Sequence, residues 1–171
     1  RGGMPGTLYV VTTPIGNLED LTLRAARVLG GVGLIAAEDT RQTRKLLNHL
    51  GLKKRVVSYN EHNAAQRSPR LLRSLLKEDV ALVTDAGVPA VSDPGAGLVR
   101  LAAEQGNAVV PIPGPSAVTA ALSVAGMAGA FRFLGFPPRA RKARRALFSE
   151  IAHETSTLLL FEAPHRVLPT L

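Results

Sequence analysis

Short β-branched, apolar runs alternate with longer amphipathic stretches along this 171-residue chain. A chain patterned in this way can bury its apolar surface most simply as a parallel sheet flanked by helices. The runs Leu8 to Thr13, Leu34 to Ala37, Arg55 to Tyr59, Val80 to Thr84 and Ala108 to Ile112 read as five strands of one α/β domain. The stretches between them carry helix punctuation. Asp20 is expected to cap a helix with the stripe Leu21, Ala25, Val28 and Leu29, stopped at Gly30-Gly31. Thr40 is expected to cap a second that buries Leu46, Leu47 and Leu50 and ends at Gly51. Leu71, Leu72, Leu75 and Leu76 mark a third helical face, and a fourth helix spans Gly97 to Gln105, ending at Gly106.

Beyond Pro111 the texture changes. The run Pro111 to Pro115 is too proline-rich to continue a strand and reads as a rigid linker. After it come a small-residue helix from Ser116 to Ala125, a strand from Phe131 to Phe136, a basic helix from Arg141 to His153, and a strand from Thr157 to Phe161. A last helix starts at Pro164. Domain boundaries are therefore expected at residues 4–112 and 113–171, the second domain being α/β and cut short, because two strands fall below what an independent sheet requires. Arg1 to Gly3, ahead of Met4, read as an added leader.

Composition closes several function classes. With 46% hydrophobic and 20% charged residues the chain is too apolar to be a disordered tail. Cys 0 excludes a disulfide framework, a cysteine-held zinc and a thiol nucleophile, and the four histidines lack metal-site spacing, so no metal is expected. No apolar run reaches membrane-spanning length, and the cytoplasm is the expected compartment. Lys+Arg 21 against Asp+Glu 13 leaves a formal charge of +8. From composition alone, a polyanionic partner and an arginine-rich surface style account for that charge equally well. With Phe 5, Tyr 2 and Trp 0, any such polyanion would be held through phosphates more than by stacking.

Ligands of open α/β sheets bind beyond the carboxyl ends of the strands, so the loops there carry the chemistry. Thr12 to Asn17 is a tight Pro/Gly turn, not a dinucleotide or P-loop fingerprint. Glu38-Asp39-Thr40-Arg41 sets two carboxylates and a guanidinium at a helix start. Capping by Asp39 or Thr40 explains it as well as proton transfer does. Asp85 to Gly95 packs acids, glycines and prolines into a rigid loop suited to a small ligand; a helix entry capped by Asp93 is the alternative, and it would account for Asp93 and Pro94 but not for the turn from Asp85 to Pro89. Pro113 to Ala117 offers small residues at a helix start. Arg139, Arg141, Lys142, Arg144 and Arg145 form an uninterrupted cationic segment. Glu162-Ala163-Pro164-His165-Arg166 follows the last strand, and a lone histidine such as His165 is more often structural than catalytic.

Taken together, the segments Thr13 to Asp20, Glu38 to Arg41, Asp85 to Gly95, Pro113 to Ala117 and Glu162 to Arg166 resemble the ribosomal RNA small subunit methyltransferase I branch of the tetrapyrrole methylase superfamily. The resemblance implies transfer of a methyl group from S-adenosylmethionine to the ribose 2′-hydroxyl of a cytidine in the decoding region of 16S rRNA. It implies a cofactor in the cleft between two domains, lined by Pro14, Asp85, Ala86, Gly87, Val88, Ser116, Ala117 and Ala163. RNA contact is expected from Arg41, Arg139, Arg141, Lys142, Arg144 and Arg145, and help with deprotonation from Glu38, Asp39 or Glu162. The partner implied is 16S rRNA or the small ribosomal subunit, and superfamily relatives suggest a homodimer. Two other functions remain open at this stage: C-methylation of a tetrapyrrole, and a non-catalytic RNA-binding role in ribosome assembly.

Overall fold

The computed structural model describes residues 5–91 and 95–170. Ser92, Asp93 and Pro94, and with them the expected Asp93 cap, lie outside the described residues, as do Arg1 to Gly3. The chain divides into two compact units, the first running through Ala117 and the second from Val118.

Unit 1 holds β1 (Leu8–Val11), α1 (Leu23–Gly31), β2 (Leu34–Ala37), α2 (Thr40–His49), β3 (Val56–Ser58), α3 (Ala64–Leu75), β4 (Val80–Val83), α4 (Ala96–Glu104) and β5 (Val109–Ile112). The five strands expected from the sequence form one sheet in the order β3-β2-β4-β1-β5, with every pairing parallel. β2 and β4 are buried along their whole length, which explains why they read as continuous apolar runs with no polar alternation. Pro111 is tolerated because β5 is an edge strand. β1 donates to the carbonyls of Ala108 and Ile112, so the proline nitrogen lies on the outer side of that alternation.

Period-two alternation sorts the core into two layers. Leu34, Ala36, Val80 and Leu82 pack with Leu71, Leu75, Leu98 and Ala102 of α3 and α4. Ile35, Ala37, Ala81 and Val83 pack with Ala25, Leu29, Leu46 and Leu47 of α1 and α2. Right-handed crossovers require this division: α1 and α2 connect strands in one direction across the sheet, α3 and α4 in the other. Each fully buried leucine in these layers contributes roughly 1.5–3 kcal/mol through removal of apolar surface from water.

Several boundaries differ from the sequence expectation. Asp20 does not cap α1; it closes a short 3-10 turn, Leu18–Asp20, capped by Asn17. Thr22 caps the helix instead, its hydroxyl accepting from the Ala25 N–H at 3.0 Å, which leaves Leu21 outside. Gly30 and Gly31 belong to α1, and Val32 provides the C-cap in an extended conformation. Thr40 begins α2 with Asp39 as its cap. Leu76 falls just beyond α3 and is 62% exposed. Gly51 and Gly106 do end α2 and α4: with left-handed φ of 67° and 77°, each closes a paired 5→2 and 6→1 set of bonds back to the last turn.

Unit 2 comprises most of α5 (Ala117–Val124), β6 (Phe131–Phe133), α6 (Arg141–Ile151), β7 (Thr157–Leu159), a 3-10 turn at Pro164–Arg166 and α7 (Val167–Thr170). β6 and β7 pair in parallel, Phe131 with Thr157 and Phe133 with Leu159. Both are shorter than the expected Phe131 to Phe136 and Thr157 to Phe161. Backbone bonding continues past the regular ladder, the Leu134 N–H donating to the Leu159 carbonyl at 2.9 Å and the Phe161 N–H to the Gly135 carbonyl at 2.8 Å, while the Phe133 and Phe136 rings stand edge-on to Phe161 at 4.7 and 5.5 Å.

Candidate functional site

β1 and β4 are neighbours whose onward connections leave in opposite directions, so the switch point of the sheet lies at their carboxyl ends. Three loops converge there. Thr13 and Gly87 exchange both backbone hydrogen bonds at 3.0 Å, and the Thr13 hydroxyl donates to the Thr84 carbonyl at 3.2 Å. Gly87 has φ of 82°, and a β-carbon there would meet Ile15 at 3.4 Å and the Pro115 carbonyl at 4.0 Å. The contacts leave room for a β-carbon, so it is the left-handed backbone that favours glycine there. At Gly114 a β-carbon would press on the Thr12 side chain at 2.9 Å, so the Pro113 to Pro115 segment runs directly over β1. Further along, Ala90 adopts φ of 67°, a left-handed conformation costing an alanine about 1–2 kcal/mol. The Asp85 to Val91 loop is therefore held in a shape its sequence does not favour by itself, as at many ligand sites.

Ala37 of β2 stands in register with Val83 of β4, so the next residues, Glu38 and Thr84, meet across the sheet end. The Glu38 Oε2 accepts from the Thr84 hydroxyl at 2.6 Å and, more weakly, from the Asp85 N–H at 3.4 Å. In return, the Asp85 carboxylate accepts from the Asp39 N–H at 3.0 Å. The two loops are thus cross-linked by their own carboxylates. Thr84, a strand residue by sequence, is 4% exposed and anchors this arrangement from below. Only its position next to the acidic loop in three dimensions reveals that role.

The three acids differ in electrostatics. Asp39 accepts from both the backbone N–H and the guanidinium of Arg41, at 2.8 to 3.1 Å. These bonds hold its carboxyl at about 2, well below its usual range, and Arg41 is raised in turn. Asp39 is therefore a cap and an ion-pair partner, ionised at neutral pH. Asp85 moves the other way: desolvation and the nearby Glu38 carboxylate raise it. Glu38 is half-buried, and its Oε1 has no hydrogen-bond partner among the described residues.

Among the expected cofactor positions in unit 1, Gly87 is buried, Pro14, Val88 and Ser116 are half-buried, and Asp85, Ala86 and Ala117 are exposed. All but Ala117, which opens α5, belong to loops at the carboxyl ends of β1, β4 and β5. Such a surface of small side chains, exposed main chain and an anionic cluster suits a flat polar molecule bearing a positive charge.

Unit 2 contains the remaining expected residues. Both oxygens of Glu162 are engaged, Oε1 by its neighbour's N–H at Ala163 (2.9 Å) and Oε2 by the Thr170 hydroxyl (2.6 Å). Arg166 lies 3.7 Å away. The Thr170 and Ala163 donors, with the two arginines Arg166 and Arg144, keep the Glu162 carboxyl below its usual range. Arg139, Arg141, Lys142 and Arg145 are exposed around the start of α6, whereas Arg144 is half-buried. Arg41, the other expected RNA contact, is exposed in unit 1 but bound to Asp39.

Among the described residues, no group of three or more histidines, aspartates and glutamates is arranged to hold a metal ion, and no helix is long and apolar enough to cross a membrane.

Comparison with known proteins agrees with this architecture. Ribosomal RNA small subunit methyltransferase I from Halalkalibacterium halodurans is 51% identical over 168 residues, covering 97% of this chain and 58% of the relative. Those from Escherichia coli O157:H7 and Micromonospora olivasterospora are 48% and 50% identical, again over 97% of this chain and over 59% and 54% of their own lengths. The chain thus spans somewhat more than half the length of the relatives it matches. The crystal structure of a diphthine synthase superposes with a TM-score of 0.69 over 93% of this chain and 66% of that one; at 18% identity it speaks for the fold alone. The family model for tetrapyrrole (corrin/porphyrin) methylases matches residues 7–171, so this chain belongs to that family.

Proposed function

We propose that the protein is an S-adenosylmethionine-dependent methyltransferase that modifies the ribose 2′-hydroxyl of a cytidine in the decoding region of 16S rRNA. The observation that carries this reading is 48–51% identity, across 97% of the chain, to proteins named ribosomal RNA small subunit methyltransferase I. Its cationic segment at α6 supports an RNA substrate over a small tetrapyrrole.

The residues present fit the cofactor. Pro14, Asp85, Ala86, Gly87, Val88, Ser116 and Ala117 of unit 1 would hold it, and the Asp85 carboxylate would offset its positive charge. When bound, S-adenosylmethionine supplies a methyl group on a sulfonium that leaves as a neutral thioether. The chain's own task is to align the attacking oxygen, exclude water and receive the hydroxyl proton. Of the three acids considered for that proton, Asp39 is engaged by Arg41 and Glu162 by Thr170 and Ala163. Glu38 remains: Thr84 orients its Oε2, and its Oε1 is the atom proposed to take the proton. Small ribosomal subunits as the target, a homodimer and a cytoplasmic location complete the proposal.

Incubation of the full-length protein with under-modified small subunits and methyl-labelled cofactor, followed by nucleoside analysis, tests it. The expected product is 2′-O-methylcytidine. A base-methylated nucleoside, a methylated tetrapyrrole as the only product, or RNA binding without methyl transfer would each overturn the reading.

A further inference from the structure

A groove of about 480 Å³ runs along one face of α6, with the α7 segment as its far wall. Its three arginines have different commitments. Arg144 donates to the Arg139 carbonyl at 3.4 Å and to the Pro169 carbonyl at 3.2 Å, tying α7 to α6 and closing the groove. Arg141 and Arg145, one helical turn apart, line the same groove, and their guanidinium groups make no hydrogen bond or ion pair with any described residue. Like charges at that spacing repel. Ala140 at the cap provides no side-chain acceptor, and no acid occupies the first turn. The segment thus breaks the local rules for a stable helix, a pattern expected where a ligand supplies the missing charge.

Cations are not the whole lining of the groove. Phe148 lines it, half-buried and outside the Phe133–Phe136–Phe161 cluster, with the Ser149 hydroxyl beside it. A patch that bound only backbone phosphates would have no use for a ring there. Along the helix axis Phe148 stands about 4.5 Å from Arg145 and about 10 Å from Arg141, a spacing that one nucleotide can bridge from base to phosphates. The volume is also within the range of small-ligand sites.

We infer that this groove binds one unpaired RNA nucleotide, its base against the Phe148 ring, its flanking phosphates on Arg141 and Arg145, and Ser149 within reach of its polar edge. Stacking on one aromatic face requires a base that has left its neighbours, so the site selects looped or single-stranded RNA over duplex. The inference deepens the RNA-methyltransferase reading and rests on it.

Fluorescence anisotropy of the full-length protein with a labelled single-stranded RNA and the matching duplex, across a salt series, tests the site. Phe148→Leu keeps the apolar volume and is expected to weaken single-strand binding at least about fivefold at every salt concentration, with an unchanged salt slope and unchanged duplex binding. Phe148→Tyr restores affinity. Arg145→Gln is expected to flatten the slope of log K against log salt by about 0.7. If wild-type protein binds single-stranded RNA and Phe148→Leu binds it equally well, this inference fails alone. If the wild type binds neither the single strand nor under-modified small subunits, the proposed function fails with it.

Discussion

Replacing Thr84 by valine removes one hydroxyl from the junction of β2 and β4 and leaves the backbone untouched. That hydroxyl donates to the Glu38 carboxylate at 2.6 Å from a side chain 4% exposed. A hydrogen bond to a charged acceptor contributes about 1.5–3 kcal/mol net, and the bereaved oxygen keeps only the 3.4 Å contact with the Asp85 N–H. The expected loss is about 2 kcal/mol. Because the chain has two tyrosines, no tryptophan, and both Tyr9 and Tyr59 in unit 1, tyrosine fluorescence in urea reports the unfolding of the unit that contains the change. With a slope of about 2 kcal/mol per molar, the midpoint should fall by about 1 M. A double-mutant cycle with Glu38→Ala isolates the pair and should return a coupling of about 1.5 kcal/mol. If Thr84→Val lowers the midpoint as expected but the coupling is below about 0.5 kcal/mol, the hydroxyl acts on something other than Glu38, and the account of how Glu38 is oriented is wrong.

The acid limb of the stability curve offers a second prediction. Arg41 lowers Asp39 from 3.8 to about 2, and a carboxyl depressed on folding contributes stability that is present above its unfolded value and lost as pH falls through the folded one. Wild type should therefore exceed Arg41→Gln in stability above pH 4, with the two converging near pH 2; a gap that persists at pH 2 refutes the assignment. Asp85 has the opposite sign, since its raised carboxyl makes ionisation unfavourable to the fold. Asp85→Asn keeps an oxygen for the Asp39 N–H and is expected to be at least as stable as wild type at pH 7 by urea titration. Its affinity for S-adenosylmethionine in calorimetry should nevertheless drop about tenfold. Lower stability with unchanged affinity would mean that Asp85 serves structure alone.

Much of unit 1 was legible in the chain because its determinants are local. A run such as Val80 to Val83, apolar at every position, has no exposed face and must lie inside a parallel sheet. Gly51 and Gly106 end their helices through bonds to the turn immediately before them. The start of α1 was less legible, since Asp20 and Thr22 have equivalent capping chemistry and the 3-10 turn over Leu18–Asp20 settles which one faces the helix. In unit 2, the segment from Phe131 to Phe136 does two things at once: its backbone bonds to the β7 segment as far as Gly135, and Phe133 and Phe136 pack on Phe161, a cluster that only the fold brings together.

The candidate site divides along the same line. The loops, their acids and their glycines could be picked out from the sequence, because beyond-strand turns rich in Asp, Gly and Pro have few other uses. What each acid does could not. Glu38 and Thr84 are 46 positions apart and meet only because β4 inserts between β2 and β1 with Ala37 beside Val83. By sequence Asp39 and Glu162 are equivalent to Glu38; in the fold Arg41, Thr170 and Ala163 occupy their oxygens. The cationic run at α6 was likewise evident as charge, whereas the commitment of Arg144 to Pro169 and the aromatic floor at Phe148 depend on how α7 folds back. Residue type and short-range spacing determine which elements form and which groups are available. Strand order and side-chain partners, set by contacts distant along the chain, decide which of those groups keep an atom for chemistry.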